Sequence, residues 1–221
     1  MRLDDIVKSL ASFRNFTGGP NDRFADVTFA TFYSLCILGM TPKSRVLDIG
    51  CGALRNGFLL MNYLEKDMYY GVEPNTAMMD EGKDKLAKPF LQDKTPNLSD
   101  TDQFDFKGSF GDVVFDFAFA RSVFTHTSKS QMDLCFKELA KVSRPGTIFL
   151  LSYKPPTGIF GGEYKGKNWI GRSHESSTPG IAHYKKETIV AAGKPHGFRE
   201  LQGFDHRILQ ALQEWLVLEK T

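Results

Sequence analysis

The run Val46 Leu47 Asp48 Ile49 Gly50 Cys51 Gly52 Ala53 Leu54 Arg55 Asn56 Gly57 restricts the fold more than any other part of the chain. A short apolar segment, Arg45 to Ile49, enters a turn with glycines at alternate positions, and a helical apolar stripe, Phe58 to Leu64, follows. Glycines at 50 and 52 permit a tight turn and let backbone amides approach a ligand that a Cβ would repel. Strand, glycine turn and helix in that order open a parallel sheet with crossover helices, whose ligands lie over the carboxyl ends of the strands. A bound small molecule is therefore expected beside Gly50 and Gly52.

The alternation continues. Tyr69 to Val72 reads as a second short strand and Thr76 to Leu86 as a second helix, while Phe115 to Ala120 is a central strand. Ser128 with Gln131 three residues on is a capping box, opening a helix with Met132, Cys135, Phe136 and Leu139 on one face. Pro145 and Gly146 are expected to stop that helix, Thr147 to Ser152 to form the next strand, and Phe198 to Leu201 with Glu214 to Leu218 a closing antiparallel pair. Ahead of the first strand, Asn21 or Asp22 caps a helix carrying Phe24, Val27, Phe32, Leu35 and Cys36 toward one side, ended by Gly39 and Pro42. One domain over 1–221 is expected, with 1–40 a helical cover and 154–184 a lid, because a Gly- and Pro-containing stretch that long exceeds a simple connector.

The ligand class follows from charge. A dinucleotide fingerprint wants glycine at the sixth position of its motif, where this chain has the bulky cation Arg55. Asp48 would oppose a diphosphate but suits a cationic ligand. Glu73 ends the second strand 23 residues after Gly50, close to the roughly 20 expected of an acid that accepts from a ribose diol. Dinucleotide-binding proteins use the same acid, so Glu73 supports a nucleoside without choosing among cofactors.

In three ordered segments the chain resembles class I S-adenosylmethionine (SAM) dependent methyltransferases: Asp48 to Gly52 at the first strand end, Tyr70 to Asn75 at the second, and Phe115 to His126 around the fourth. The likeness covers about 45–153 and extends loosely to His206, Arg207 and Gln213–Lys220; Ala53 replaces the third close glycine, and Leu54 and Arg55 are longer-armed than in many relatives. It implies an α/β, Rossmann-like three-layer sandwich, with a mostly parallel seven-stranded sheet, a C-terminal antiparallel hairpin and helices on both faces. It implies SAM as cofactor, S-adenosylhomocysteine as product and a small-molecule methyl acceptor. Cofactor contacts are carried over to Asp48, Gly50, Cys51, Gly52 and Arg55 in the first turn, and to Glu73, Pro74 and Asn75 after the second strand. Asp102, Gln103 and Phe104 fall where such enzymes hold adenine, and Arg121, Ser122 and Val123 where they line the methyl-donor pocket.

Methyl transfer is an in-line displacement in which the protein mainly aligns donor and acceptor, so a base is needed only where the acceptor must lose a proton. His126, about six residues beyond the fourth strand, is the first candidate; the competing reading is that its ring hydrogen-bonds the backbone and fixes the loop. His174 and Tyr184, in or beside the expected lid, are the next candidates, with a polar loop as their competing role. A nicotinamide-dependent oxidoreductase and a non-catalytic SAM- or nucleoside-binding module are the alternative functions.

Bulk properties narrow the partners. A net charge of +2 without a long like-charge run gives no nucleic-acid footprint. No apolar stretch reaches the roughly 20 residues of a membrane span, and the first residues lack a signal-peptide core, so a cytoplasmic location is expected. Cys36, Cys51 and Cys135 are far apart without metal-ligand spacing, and no metal is expected. Oligomeric state and the accepting atom are not encoded in any motif.

Overall fold

The computed structural model describes residues 5, 8, 9, 12, 24–91, 93–157, 161–171, 179–204 and 213–221. Asn21, Asp22, His174, His206 and Arg207 lie outside these, as does the side chain of Phe24.

Seven strands form one sheet: β1 (Val46–Ile49), β2 (Tyr69–Val72), β3 (Asn97–Ser99), β4 (Phe115–Ala120), β5 (Ser143–Tyr153), β6 (Phe198–Glu200) and β7 (Glu214–Lys220). Their spatial order is β3-β2-β1-β4-β5-β7-β6. The first five are parallel, and β7 runs antiparallel to both β5 and β6. This is the mostly parallel sheet with a terminal hairpin expected from the sequence. The reversed β7 between β5 and β6 departs from the 3-2-1-4-5-6 order of dinucleotide-binding sheets.

Side chains alternate between the two faces of the central strands and build a core on each. Leu47, Ile49, Ala118, Phe149 and Leu151 pack with Met132, Cys135, Phe136 and Leu139 of α6 (Lys129–Lys141) and with Ile189 of α7 (Lys186–Gly193). On the other face, Val46, Phe117, Phe119 and Leu150 pack with Leu35 of α1 (Phe24–Ile37) and with Phe58, Leu60 and Met61 of α2 (Arg55–Tyr63). Val27 and Leu35 of α1 are buried, as the expected stripe requires.

The expected helix from Thr76 to Leu86 is not uniform. It is α-helical over α3 (Thr76–Gly82), π-helical over Lys83–Ala87, and closes in α4 (Lys88–Phe90), where Lys88 N–H reaches Lys83 O. Pro89 lacks the N–H that an α-helix would direct to Lys85 O, and the Ser9 hydroxyl donates to that carbonyl at 2.5 Å. A further short helix, α5 (Phe106–Phe110), precedes β4.

Two boundaries are corrected. The capping box opens α6 as expected, but α6 ends at Lys141, ahead of Pro145 and Gly146, and β5 already begins at Ser143. Pro145 and Gly146 occupy an irregularity within that strand, where pairing jumps from Phe115–Ser143 to Phe117–Ile148. Thr147 spans it, its hydroxyl donating to Phe115 O at 2.8 Å and accepting from Arg144 N–H at 3.0 Å.

Gly82 lets α3 lie directly on the first turn: a Cβ there would meet the Ala53 carbonyl carbon and oxygen at 2.5 Å. Backbone cannot swing aside as a side-chain tip can. Gly82→Ala is therefore expected to lower unfolding stability by about 2 kcal/mol or more, despite alanine's better helix propensity. Urea denaturation of the two proteins measures the difference.

Candidate active site

The turn after β1 is held by the protein's own groups. Gly50 and Cys51 amides both donate to Val72 O, at 2.9 and 3.0 Å, and the Gly52 amide donates to Glu73 Oε2 at 3.0 Å. These amides tie β1 to β2 rather than standing ready for a ligand, which corrects the reason given for the two glycines. Gly50 (φ +73°) and Gly52 (φ +53°) are required by left-handed backbone, and a Cβ on Gly50 would lie 2.6 Å from Val123 Cγ2. Leu54, also left-handed at φ 58°, then starts α2.

Asp48 shares a sheet face with Val46 and is 1% exposed. The Tyr69 hydroxyl donates to its Oδ2 at 2.8 Å, passing over Gly57, where a Cβ would strike that hydroxyl. Burial pushes the Asp48 carboxyl up to about 8; the Tyr69 hydrogen bond opposes this, Glu73 adds to it and Arg121 counters it. Glu73 is gripped from both sides, with Oε2 on Gly52 and Oε1 on the Asn75 amide at 2.9 Å. Asn75 also caps α3, its Oδ1 accepting from Met78 N–H at 3.1 Å, and Pro74 lies half-buried between the two.

Two guanidiniums complete the charge cluster. Arg55 is buried and brought down to about 10, by burial and then by Arg121. Arg121 is brought down to about 10 by burial, with Asp48 working against the shift. Both stay cationic at neutral pH. No motif marked the neighbouring Asn56, whose buried Oδ1 has no hydrogen-bond partner among the described residues. Cys51 is buried, and burial holds its thiol protonated.

Beyond β3, Asp102 and Gln103 are exposed, whereas Phe104 is buried with φ 56°. Its ring lies 5.9 Å from that of Trp169, so the segment 161–171 rests on the stretch carried over to adenine. Beyond β4, Ser122 is left-handed at φ 62°. Leu54, Phe104 and Ser122 thus put left-handed non-glycine backbone at three loops of one sheet edge, a form of strain that concentrates at functional sites.

His126 is clamped to the same segment. Its Nδ1 donates to Ile170 O at 2.9 Å, because a carbonyl can only accept, and Ile170 N–H donates to His126 O at 2.9 Å. With its proton on Nδ1, the ring keeps Nε2 as an acceptor, and burial holds its pKa below the usual 6.5. This bond is the loop-fixing reading of His126, and the tautomer it selects leaves Nε2 without a proton. Tyr184 is fully buried, and its hydroxyl donates to Thr127 O at 2.8 Å, binding the returning chain to the loop beyond His126.

Known proteins match this arrangement. Residues 47–149 match a family described as a methyltransferase domain. An uncharacterized Rickettsia prowazekii protein is 27% identical over 129 residues, so the match spans 55% of this chain and about half, 49%, of that relative. Magnesium protoporphyrin IX methyltransferase from Synechocystis PCC 6803, with bound S-adenosylhomocysteine, superposes with a TM-score of 0.66 at 15% identity, over 99% of this chain and 94% of its own. A sugar N-methyltransferase from a Streptoalloteichus species superposes with a TM-score of 0.62 at 17% identity, over 94% and 95%. No helix among the described residues is long and apolar enough to cross a membrane.

The raised Asp48 carboxyl has a pH consequence. Between about 3.8, its unperturbed value, and about 8, the folded protein keeps a proton that the unfolded chain releases, so rising pH favours unfolding over this window. Asp48→Asn removes that linkage. Its thermal midpoint, relative to wild type, is expected to climb by about 5 °C or more from pH 4 to pH 8 and to level off above, as paired melting curves without ligand will show. Residues 47–149 thus match a methyltransferase-domain family, and the fold around them is one shared with solved methyltransferase structures.

Proposed function

We propose that the whole protein transfers a methyl group from SAM to a small-molecule acceptor, and that the charge cluster at the carboxyl edge of β1, β2 and β4 holds the cofactor. The observation that carries the reading is Asp48, a carboxyl buried to 1% exposure and pushed up to about 8, which a bound cation would bring down. The buried Asn56 Oδ1, eight residues on in the chain, adds a second acceptor. These groups fit a ligand carrying an ammonium and a sulfonium, whose positive charge would favour the ionised form of Asp48, whereas a diphosphate would hold it protonated.

SAM supplies a methyl carbon activated by its sulfonium. Asp48 would hold the positive end. A carboxylate offers about four acceptor positions, and with the Gly52 and Asn75 amides orienting it, Glu73 presents its outer edge to a ribose diol. Gly50, Cys51, Gly52, Pro74 and Asn75 shape the turns around these acids, while Arg55 and Arg121 balance their charge. Phe104 offers an apolar face to the base, with Asp102 and Gln103 at its rim, and Ser122 and Val123 wall the methyl end. His126 Nε2 accepts the acceptor's proton where the nucleophile is protonated. Tyr184, with its hydroxyl committed to Thr127, is assigned to holding residues 154–184 in place, and we read those residues and 1–40 as parts of one domain.

The acceptor is assigned as a small molecule because the sugar N-methyltransferase and the porphyrin methyltransferase share this fold over nearly their full lengths. Calorimetric titration is expected to show SAM binding and no NAD binding, with Glu73→Ala weakening SAM at least about 10-fold. NAD binding without SAM binding would contradict the reading. In a screen of small-molecule acceptors read by S-adenosylhomocysteine release, His126→Ala is expected to keep SAM affinity within about 2-fold and to slow turnover about 100-fold. Binding with no acceptor-dependent release would favour a non-catalytic module, and a wild-type rate would make His126 purely structural.

A further inference from the structure

We propose that Gln213 is a positioning residue, setting the wall of the cofactor pocket through Ser122. The inference rests on the placement of Ser122 and Val123 in that wall. Gln213 stands just ahead of β7, 91 residues from Ser122, yet the two side chains are joined: Gln213 Nε2 donates to Ser122 Oγ at 2.6 Å. Ser122 N–H donates to Ser152 Oγ at 2.7 Å, and Ser152 Oγ donates to Gln213 Oε1 at 2.6 Å, closing a ring across the ends of β4, β5 and β7.

The ring has one consistent direction. Ser122 Oγ, accepting from Gln213, passes its own proton to Thr125 Oγ1 at 3.2 Å, and Thr125 Oγ1 donates to Ser122 O at 2.9 Å. Each hydroxyl has one proton to give, and here each is used. Turning the Gln213 amide over would take away the acceptor of the Ser152 proton, and Ser152 is fully buried.

What the ring holds is strained backbone. Ser122 has φ 62°, which costs a residue with a Cβ about 1 kcal/mol or more, so it persists only where its surroundings over-determine it. The next residue, Val123, packs straight onto Gly50, and the carbonyl of Val123 receives the His126 amide at 2.8 Å. Relaxation at Ser122 therefore moves both the cover of the first turn and the start of the His126 loop. Gln213 couples the last strand of the sheet to the pocket.

The experiment is calorimetric titration of wild type, Gln213→Leu, Ser152→Ala, their double variant and Glu73→Ala with SAM and with S-adenosylhomocysteine, alongside thermal midpoints without ligand. Gln213→Leu is expected to weaken both ligands about 10-fold and Ser152→Ala about 5-fold. The double variant is expected to lose about 10-fold rather than about 50-fold, because both changes open the same ring. Ser152→Ala removes a single oxygen and carries the test alone if Gln213→Leu does not fold. Lowered midpoints with wild-type affinity in the folded variants would overturn the inference, as would fully multiplicative losses. Weakened binding in Glu73→Ala with none in Gln213→Leu would overturn the role of Gln213 alone, whereas wild-type affinity in Glu73→Ala would remove the pocket reading and this inference with it.

Discussion

The organisation of the site turns on one buried carboxyl. Asp48 lies in the last pair of residues of β1, inside an apolar layer, where the Tyr69 hydroxyl arrives from β2 across a glycine that leaves it room. Everything around it is arranged so that the backbone needs nothing from a ligand. The Gly50 and Cys51 amides are spent on Val72, the Gly52 amide on Glu73, and α3 presses on the turn through Gly82. The turn is therefore rigid before any cofactor arrives, and the unmet demand in the pocket is electrostatic. A cation answers that demand by lowering the cost of ionising a carboxyl in a poorly solvated place.

A second node organises the later part of the chain. The turn after β4 receives Ser152 from β5, Gln213 from the edge of β7, Ile170 onto His126 and the Ala182 amide onto Thr125 O at 2.7 Å. The described parts of 154–184 have no regular helix or strand before α7, yet the amides of Ile170 and Ala182 donate to carbonyls of this turn. Trp169 on Phe104 and Tyr184 on Thr127 anchor the same stretch. The two nodes meet where Val123 touches Gly50.

Features that depend on near neighbours were legible in the sequence. Tyr69 to Val72 and Phe115 to Ala120 are apolar runs bounded by turn residues, and the Ser128–Gln131 box is a local pair, so their limits match. The acids Asp48 and Glu73 were legible because their spacing from Gly50 reflects one strand–turn–helix–strand unit. By contrast, β3 is three half-buried residues, Asn97–Ser99, at a sheet edge with no apolar run to mark it. Pro145 and Gly146 read as a stop, but tertiary pairing absorbed them into a strand irregularity. α7 lies where no motif stood out. Gly82 looks like a weak spot in a helix until Ala53 is seen beneath it, and the ring of Ser122, Ser152 and Gln213 joins residues too distant in the chain for any local pattern to reveal.

The most direct test of the role given to Asp48 is proton release on cofactor binding. Titrations with SAM at pH 7, repeated in buffers of different ionisation enthalpy, count the protons exchanged by wild type and by Asp48→Asn. With a carboxyl near 8 before binding and ionised after, wild type should release close to one proton more than the variant. Equal proton counts in the two proteins would show that Asp48 does not change its charge for the ligand, and would contradict the account.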